Sequence, residues 1–253
     1  MRPKVIAGNW KMNKDADESV ELINGLITRS GEIPNGVTVI LCPPFTSLAI
    51  AQRLLDGGPM ALGGQNMHYE DEGAFTGEIS AGMLKSVGCT FVIIGHSERR
   101  QIFGETNDAI NKKVKKALSA GLRPIICVGE TLEERERGVT EQVINVQLKG
   151  ALQDVSENEV SRAIIAYEPV WAIGTGKNAT PEQAADVHNY IRKIIGQFYS
   201  WATAERIIIQ YGGSVKPENA RSLLATDGID GALVGGACLK PDSFMEIVMA
   251  AGS

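Results

Sequence analysis

Cysteine is scarce and scattered: four in 253 residues, Cys42, Cys89, Cys127 and Cys238, with no Cys-x-x-Cys spacing. That excludes a disulfide framework and points to reduced thiols and a cytoplasmic protein. Histidine is scarcer still, only His68, His96 and His188, too few beside such dispersed cysteines to make a metal centre. Basic residues are outnumbered, 25 against 30 acidic, for a formal net charge of −5. The balance argues against a nucleic-acid partner, and any anionic ligand must be held by a local arrangement of groups. No apolar run approaches the length of a membrane span. The start, Met1 to Trp10, is basic, but its apolar run breaks at Asn9, too early for a signal peptide. No linker or low-complexity tract divides the chain, so residues 1–253 are expected to form a single domain, and the Glu133–Arg137 run reads as a solvated helical turn.

Short β-branched apolar runs are what the chain has in quantity: Lys4–Ala7, Thr38–Cys42, Met60–Leu62, Phe91–Ile94, Pro124–Val128, Ala163–Ala166, Ile207–Gln210 and Gly231–Val234. Their starts recur at a mean step of about 32 residues, the size of one strand-plus-helix unit. Between them lie segments with helical spacing and start signals, Asp15–Ile27, Thr106–Ala120, Val139–Leu152 and Thr180–Phe198, the last opening on Thr180-Pro181-Glu182. Strands that are apolar without alternation are buried on both faces, as in a parallel sheet covered by helices. Eight such units in about 250 residues predict a (β/α)8 barrel of the α/β class. A doubly wound open sheet is the rival, but the first strand runs into Gly8-Asn9-Trp10-Lys11, with one glycine where a dinucleotide fingerprint needs three.

In a (β/α)8 barrel chemistry collects at the C-terminal strand ends. Asn9 and Lys11 follow strand one and leave the same face of the chain if it stays extended. Strand four ends Gly95-His96-Ser97-Glu98. Here Ser97 is expected to cap a short helix whose positive end keeps the His96 ring neutral, and Glu98 to position Lys11 or cap the turn. Strand six ends Tyr167-Glu168-Pro169, where proline holds Glu168 extended at the rim, the placement of a general base. The apolar, glycine-bearing stretch Val170–Lys177 then reads as a lid. Strands seven and eight end in Gly212-Gly213-Ser214 and Gly235-Gly236, glycine pairs whose backbone N–H groups suit a phosphate.

The ordered blocks Ala7–Lys11, Gln65-Asn66, Gly73–Glu78, Gly95–Arg100, Ala166–Gly176, Tyr211–Val215 and Gly235–Ala237 resemble the triosephosphate isomerase family from end to end. The resemblance implies a TIM barrel that interconverts dihydroxyacetone phosphate and glyceraldehyde 3-phosphate through an enediolate, with no cofactor and no metal. It implies Glu168 as the base, neutral His96 as the carbonyl polariser, and Lys11 and Asn9 at the reacting oxygens. Backbone amides of Gly174, Ser214, Gly235 and Gly236 are implied to bind the phosphate. It further implies a homodimer in which the Gly73–Glu78 loop, with Thr76 at its tip, enters the other subunit, and a supporting Cys127 buried near the carboxylate. Gly63-Gly64 and Met67-His68-Tyr69 lie where family members vary.

Two other readings stay open on sequence. Lys11 as a Schiff-base lysine would make the barrel a phosphosugar aldolase, although such a lysine usually sits deeper in a strand. A barrel that only binds phosphate would be a scaffold or sensor, but it would have no use for a base aimed at carbon.

Overall fold

The computed structural model describes residues 2–173 and 179–252. Eight strands, β1 (Lys4–Asn9), β2 (Val37–Cys42), β3 (Met60–Gly64), β4 (Phe91–Ile94), β5 (Arg123–Val128), β6 (Ile164–Tyr167), β7 (Ile208–Tyr211) and β8 (Gly231–Val234), pair in parallel in chain order and close into a barrel. Closure joins β1 to β8 with Gly8 opposite Val234. The closing contact demands glycine at the start of β8: Gly231 has φ +151°, and a Cβ there would lie 1.9 Å from the Val5 carbonyl oxygen.

Each predicted apolar run is a strand, with ends differing by three residues at most. The reason is burial on both faces. Val5, Ala7, Ile40, Cys42, Ile93, Ile125, Cys127, Ile164, Ala166 and Leu233 fill the barrel interior. Their neighbours Ile6, Val39, Leu41, Val92, Ile94, Ile126 and Ile165 pack outward into a second cluster with the helices. The helices Ala16–Thr28, Asn107–Ser119, Thr140–Ala151 and Pro181–Phe198 fall where the caps placed them. Asp15 and Thr180 close reciprocal capping boxes with Glu18 and Gln183. The Glu133–Arg137 run lies in a one-turn helix, Leu132–Glu136, capped by Thr131.

His188, on the long helix after β6, is fully buried against the edge of the Tyr167 ring, with Nδ1 3.1 Å from the Gly228 carbonyl oxygen. Burial lowers its pKa from 6.5 to about 4. The unfolded chain therefore takes up a proton near pH 6.5 that the fold refuses until about pH 4. Stability is full above pH 6.5 and falls by about 3 kcal/mol down to pH 4 on account of this ring. His188→Gln is expected to be less stable at neutral pH but to lose that slope, measured by denaturant unfolding at a series of pH values; an unchanged slope would remove the assignment.

Candidate active site

The C-terminal strand ends surround a cavity of ≈ 480 Å³ lined by Asn9, Lys11, His96, Glu168, Gly212, Ser214, Gly235 and Gly236, among others. Groups from β1, β4, β6, β7 and β8 thus meet in one place. Gly174 and part of the Val170–Lys177 segment lie outside the described residues.

Glu168 is held by its backbone before its side chain is considered. Its N–H donates to the Val128 carbonyl at 2.7 Å, and the next glycine on that side, Gly129, is obligatory because a Cβ there would lie 1.7 Å from the Glu168 carbonyl oxygen. On the other side, a Cβ on Gly212 would stand 2.8 Å from Glu168 Cγ. The carboxylate is buried, Oε2 accepting the Ser97 N–H at 2.9 Å and Oε1 lying 2.8 Å from His96 Nε2. In the second contact the ring nitrogen faces the carboxylate at charge-assisted hydrogen-bond distance, and Oε1 keeps a further lone pair for another partner. Burial would raise the Glu168 pKa, but the facing imidazole, the Ser97 N–H and Lys11 outweigh it and hold the carboxyl below its ordinary value.

His96, and not Ser97, is the N-cap of the short helix Ser97–Ile102: its Nδ1 accepts the Glu98 N–H at 3.3 Å. Sequence reasoning chose Ser97 because serine is the commoner cap; the ring nitrogen does the same work from one residue earlier. An accepting Nδ1 assigns the ring proton to Nε2, the nitrogen that faces the cavity. That contact favours the expected neutral ring, while the neighbouring carboxylate pulls the other way. Burial lowers the His96 pKa, but the Glu168 carboxylate more than offsets that and leaves it raised.

Asn9 and Lys11 converge, though not by the extended geometry expected. The strand stops at Asn9 and Lys11 turns into the left-handed region at φ +54°. That turn is fixed by Asn9 Oδ1, which accepts the Lys11 N–H at 3.0 Å, and by Gln65 Nε2, which donates to the Lys11 carbonyl at 2.8 Å. Lys11 Nζ then pairs with Glu98 Oε1 at 2.5 Å and stands beside Gly235, 3.9 Å from where a Cβ on that glycine would be. Glu98, expected to position Lys11 or more readily to cap the turn, is thus the ion-pair partner of Lys11. Gly236 opens a single 3-10 turn, Gly236–Leu239, so its N–H belongs to an end with unpaired donors. Cys127 fills the barrel interior with its thiol pKa pushed well up by burial and by the nearby Glu168 charge, which suits packing and not nucleophilic attack.

Sequence reasoning missed Glu130. Fully buried after β5, its Oε1 accepts from Tyr167 Oη at 3.1 Å, Trp171 Nε1 at 2.9 Å and Arg135 Nη1 at 3.2 Å. With the Val170 N–H on its own carbonyl at 3.0 Å and the Arg135 guanidinium over the Trp171 ring, it pins the start of the segment read as a lid. A single glutamate in a loop carries no signal of burial; its one clue is the cluster of donors that can reach it.

A family model described as triosephosphate isomerase matches residues 4–251. Among curated relatives, the triosephosphate isomerase of Chlorobium phaeobacteroides (strain BS1) is 51% identical over 252 residues, covering 100% of both chains. That of Carboxydothermus hydrogenoformans is 52% identical over 248 residues, 98% of each chain. That of Dictyoglomus turgidum is 53% identical over 251 residues, 98% of this chain and 99% of the relative.

Proposed function

Since the chain belongs to the triosephosphate isomerase family, we propose that its interconversion of dihydroxyacetone phosphate and D-glyceraldehyde 3-phosphate is carried by Glu168 as the base that moves a proton between adjacent carbons. The observation that carries this reading is the buried Glu168 carboxylate, in contact with His96 Nε2, at a cavity that Lys11 also lines. At rest, the Ser97 N–H and His96 weaken it as a base. Turning towards a substrate carbon gives up those partners inside a site closed to water, and its basicity rises. The same movement takes away the charge that favoured imidazolium, so His96 returns to the neutral Nε2–H form and donates to the carbonyl oxygen. Lys11 and Asn9 stand where negative charge develops on the reacting oxygens, and stabilising the enediolate as it forms is what makes so weak a carbon acid accessible to a carboxylate. The Gly235-Gly236 amides with Ser214, and Gly174 from the segment after Ala172, would hold the phosphate.

The isomerase reading is tested by turnover of glyceraldehyde 3-phosphate without added cofactor or metal, run in D2O. Deuterium at carbon in the recovered triose is the expected result, and its absence throughout turnover would remove Glu168 from this role. The aldolase reading finds no support in an ammonium already paired with Glu98.

A homodimer built on the Gly73–Glu78 loop belongs to the same proposal. A single chain leaves Phe75 42%, Met12 96% and Phe103 68% exposed, a costly display for a monomer. Phe75 also packs at a tilt of 32° against the His68 ring, with centroids 4.3 Å apart. Thr76→Arg is expected to shift the species seen in sedimentation from dimer to monomer and to lower activity more than ten-fold; a dimer that survives would move the interface elsewhere. A cytoplasmic location fits four buried free thiols, and no helix among the described residues is long and apolar enough to cross a membrane.

A further inference from the structure

Two lysines occupy positions that helix chemistry disfavours. Lys216 is the N-cap of the helix Pro217–Ala225 after β7, and Lys240 is the N-cap of the helix Pro241–Ala250 after β8. Both read Lys-Pro-acid: Lys216-Pro217-Glu218 and Lys240-Pro241-Asp242. An ammonium has no acceptor to offer a helix N–H, and its charge adds to the positive end of the helix. The first helix compensates only in part: Asn219 Oδ1 reaches back to the Lys216 N–H at 2.8 Å, while neither lysine side chain caps a helix amide. The same error, made twice, marks the two strand ends that carry the glycine pairs.

Both lysines line the mouth of the catalytic cavity, both are exposed, and among the described residues neither joins an ion pair. Of the acids that follow them, Asp242 is taken by Arg29 at 2.9 Å, which leaves Glu218 as the carboxylate on that stretch of rim. In a chain of net charge −5 the approach path of an anion would otherwise be repulsive.

We propose that Lys216 and Lys240 form a cationic rim that captures the phosphorylated substrate as a dianion and delivers it to the Gly235-Gly236 amides, at a cost in helix capping. The proposal rests on the isomerase reading above. It makes the lysines positioning residues: they set the rate of productive encounter and leave the proton transfers alone.

The test is the double variant K216S/K240S, which replaces two poor caps with good ones. The expected result is unchanged kcat, KM raised about five-fold at low ionic strength, convergence with the parent in high salt, and a thermal midpoint no lower than the parent's. K216R/K240R is expected to behave as the parent. Calorimetric affinity for inorganic phosphate should fall in step with KM, and it reads the rim with no turnover involved. An inactive parent would therefore overturn the isomerase reading while leaving the rim measurable. A KM and phosphate affinity that do not change at low salt, or that change equally at all salt concentrations, would overturn the rim itself.

Discussion

Glu168→Asp is expected to lower kcat by about 10²-fold, close to 2.7 kcal/mol of barrier, with little change in folding stability. The usual escape from such a truncation is backbone movement that brings the shorter side chain forward. Here it is blocked on both sides, by the 2.7 Å bond from the Glu168 N–H to Val128 with the close approach of Gly129 on one, and by Gly212, whose N–H donates to the Tyr167 carbonyl at 2.7 Å, on the other. The carboxylate therefore retreats by roughly the length of one methylene, about 1 Å, from any carbon it must reach. KM should hold, since the proposed phosphate contacts do not involve the Glu168 side chain. Steady-state kinetics together with deuterium exchange at carbon check this, and turnover within a few-fold of the parent would show that the reach of Glu168 is not limiting.

Lys11→Met should lower kcat/KM by about 10²- to 10³-fold, shared between kcat and KM. The ammonium lines the cavity with His96 and Glu168 and stands beside Gly235, so in the proposed reaction it would serve both the developing oxyanion and the phosphate. Folding should tolerate the change. Glu98, which loses its partner, is 40% exposed at the side chain and rehydrates. The left-handed turn at Lys11 is secured by Asn9 and Gln65 through backbone atoms that methionine retains. Circular dichroism and a two-substrate assay would separate the cases: a loss confined to KM would reduce Lys11 to phosphate binding.

The barrel was legible because eight segments need apolar residues on both faces, a demand that leaves a continuous signature with no partner information required. The site was legible as a set of strand-end residues, since the topology brings those ends together whatever the side chains do. What the sequence hid was local geometry. His96 acts as a cap through a ring nitrogen, outside the usual list of capping residues. Lys11 arrives by a left-handed turn that no spacing rule anticipates in a non-glycine residue. Glu130 draws no attention in the sequence, because the phenol, indole and guanidinium that converge on it come together only in space. Each of these depends on contacts between residues distant in the chain, which a single sequence does not display.

The seam between β1 and β8 has a consequence for synthesis on the ribosome. Asn9 and Lys11 emerge more than two hundred residues before Gly235-Gly236, yet they meet in one cavity. A nascent chain stalled before residue 231 has neither the closing strand nor the glycine pair that follows it, so it stays inert towards metabolites until β8 has emerged. Enzyme activity in a coupled translation reaction should accordingly switch on as a step once residues 231–236 have emerged and not climb with length.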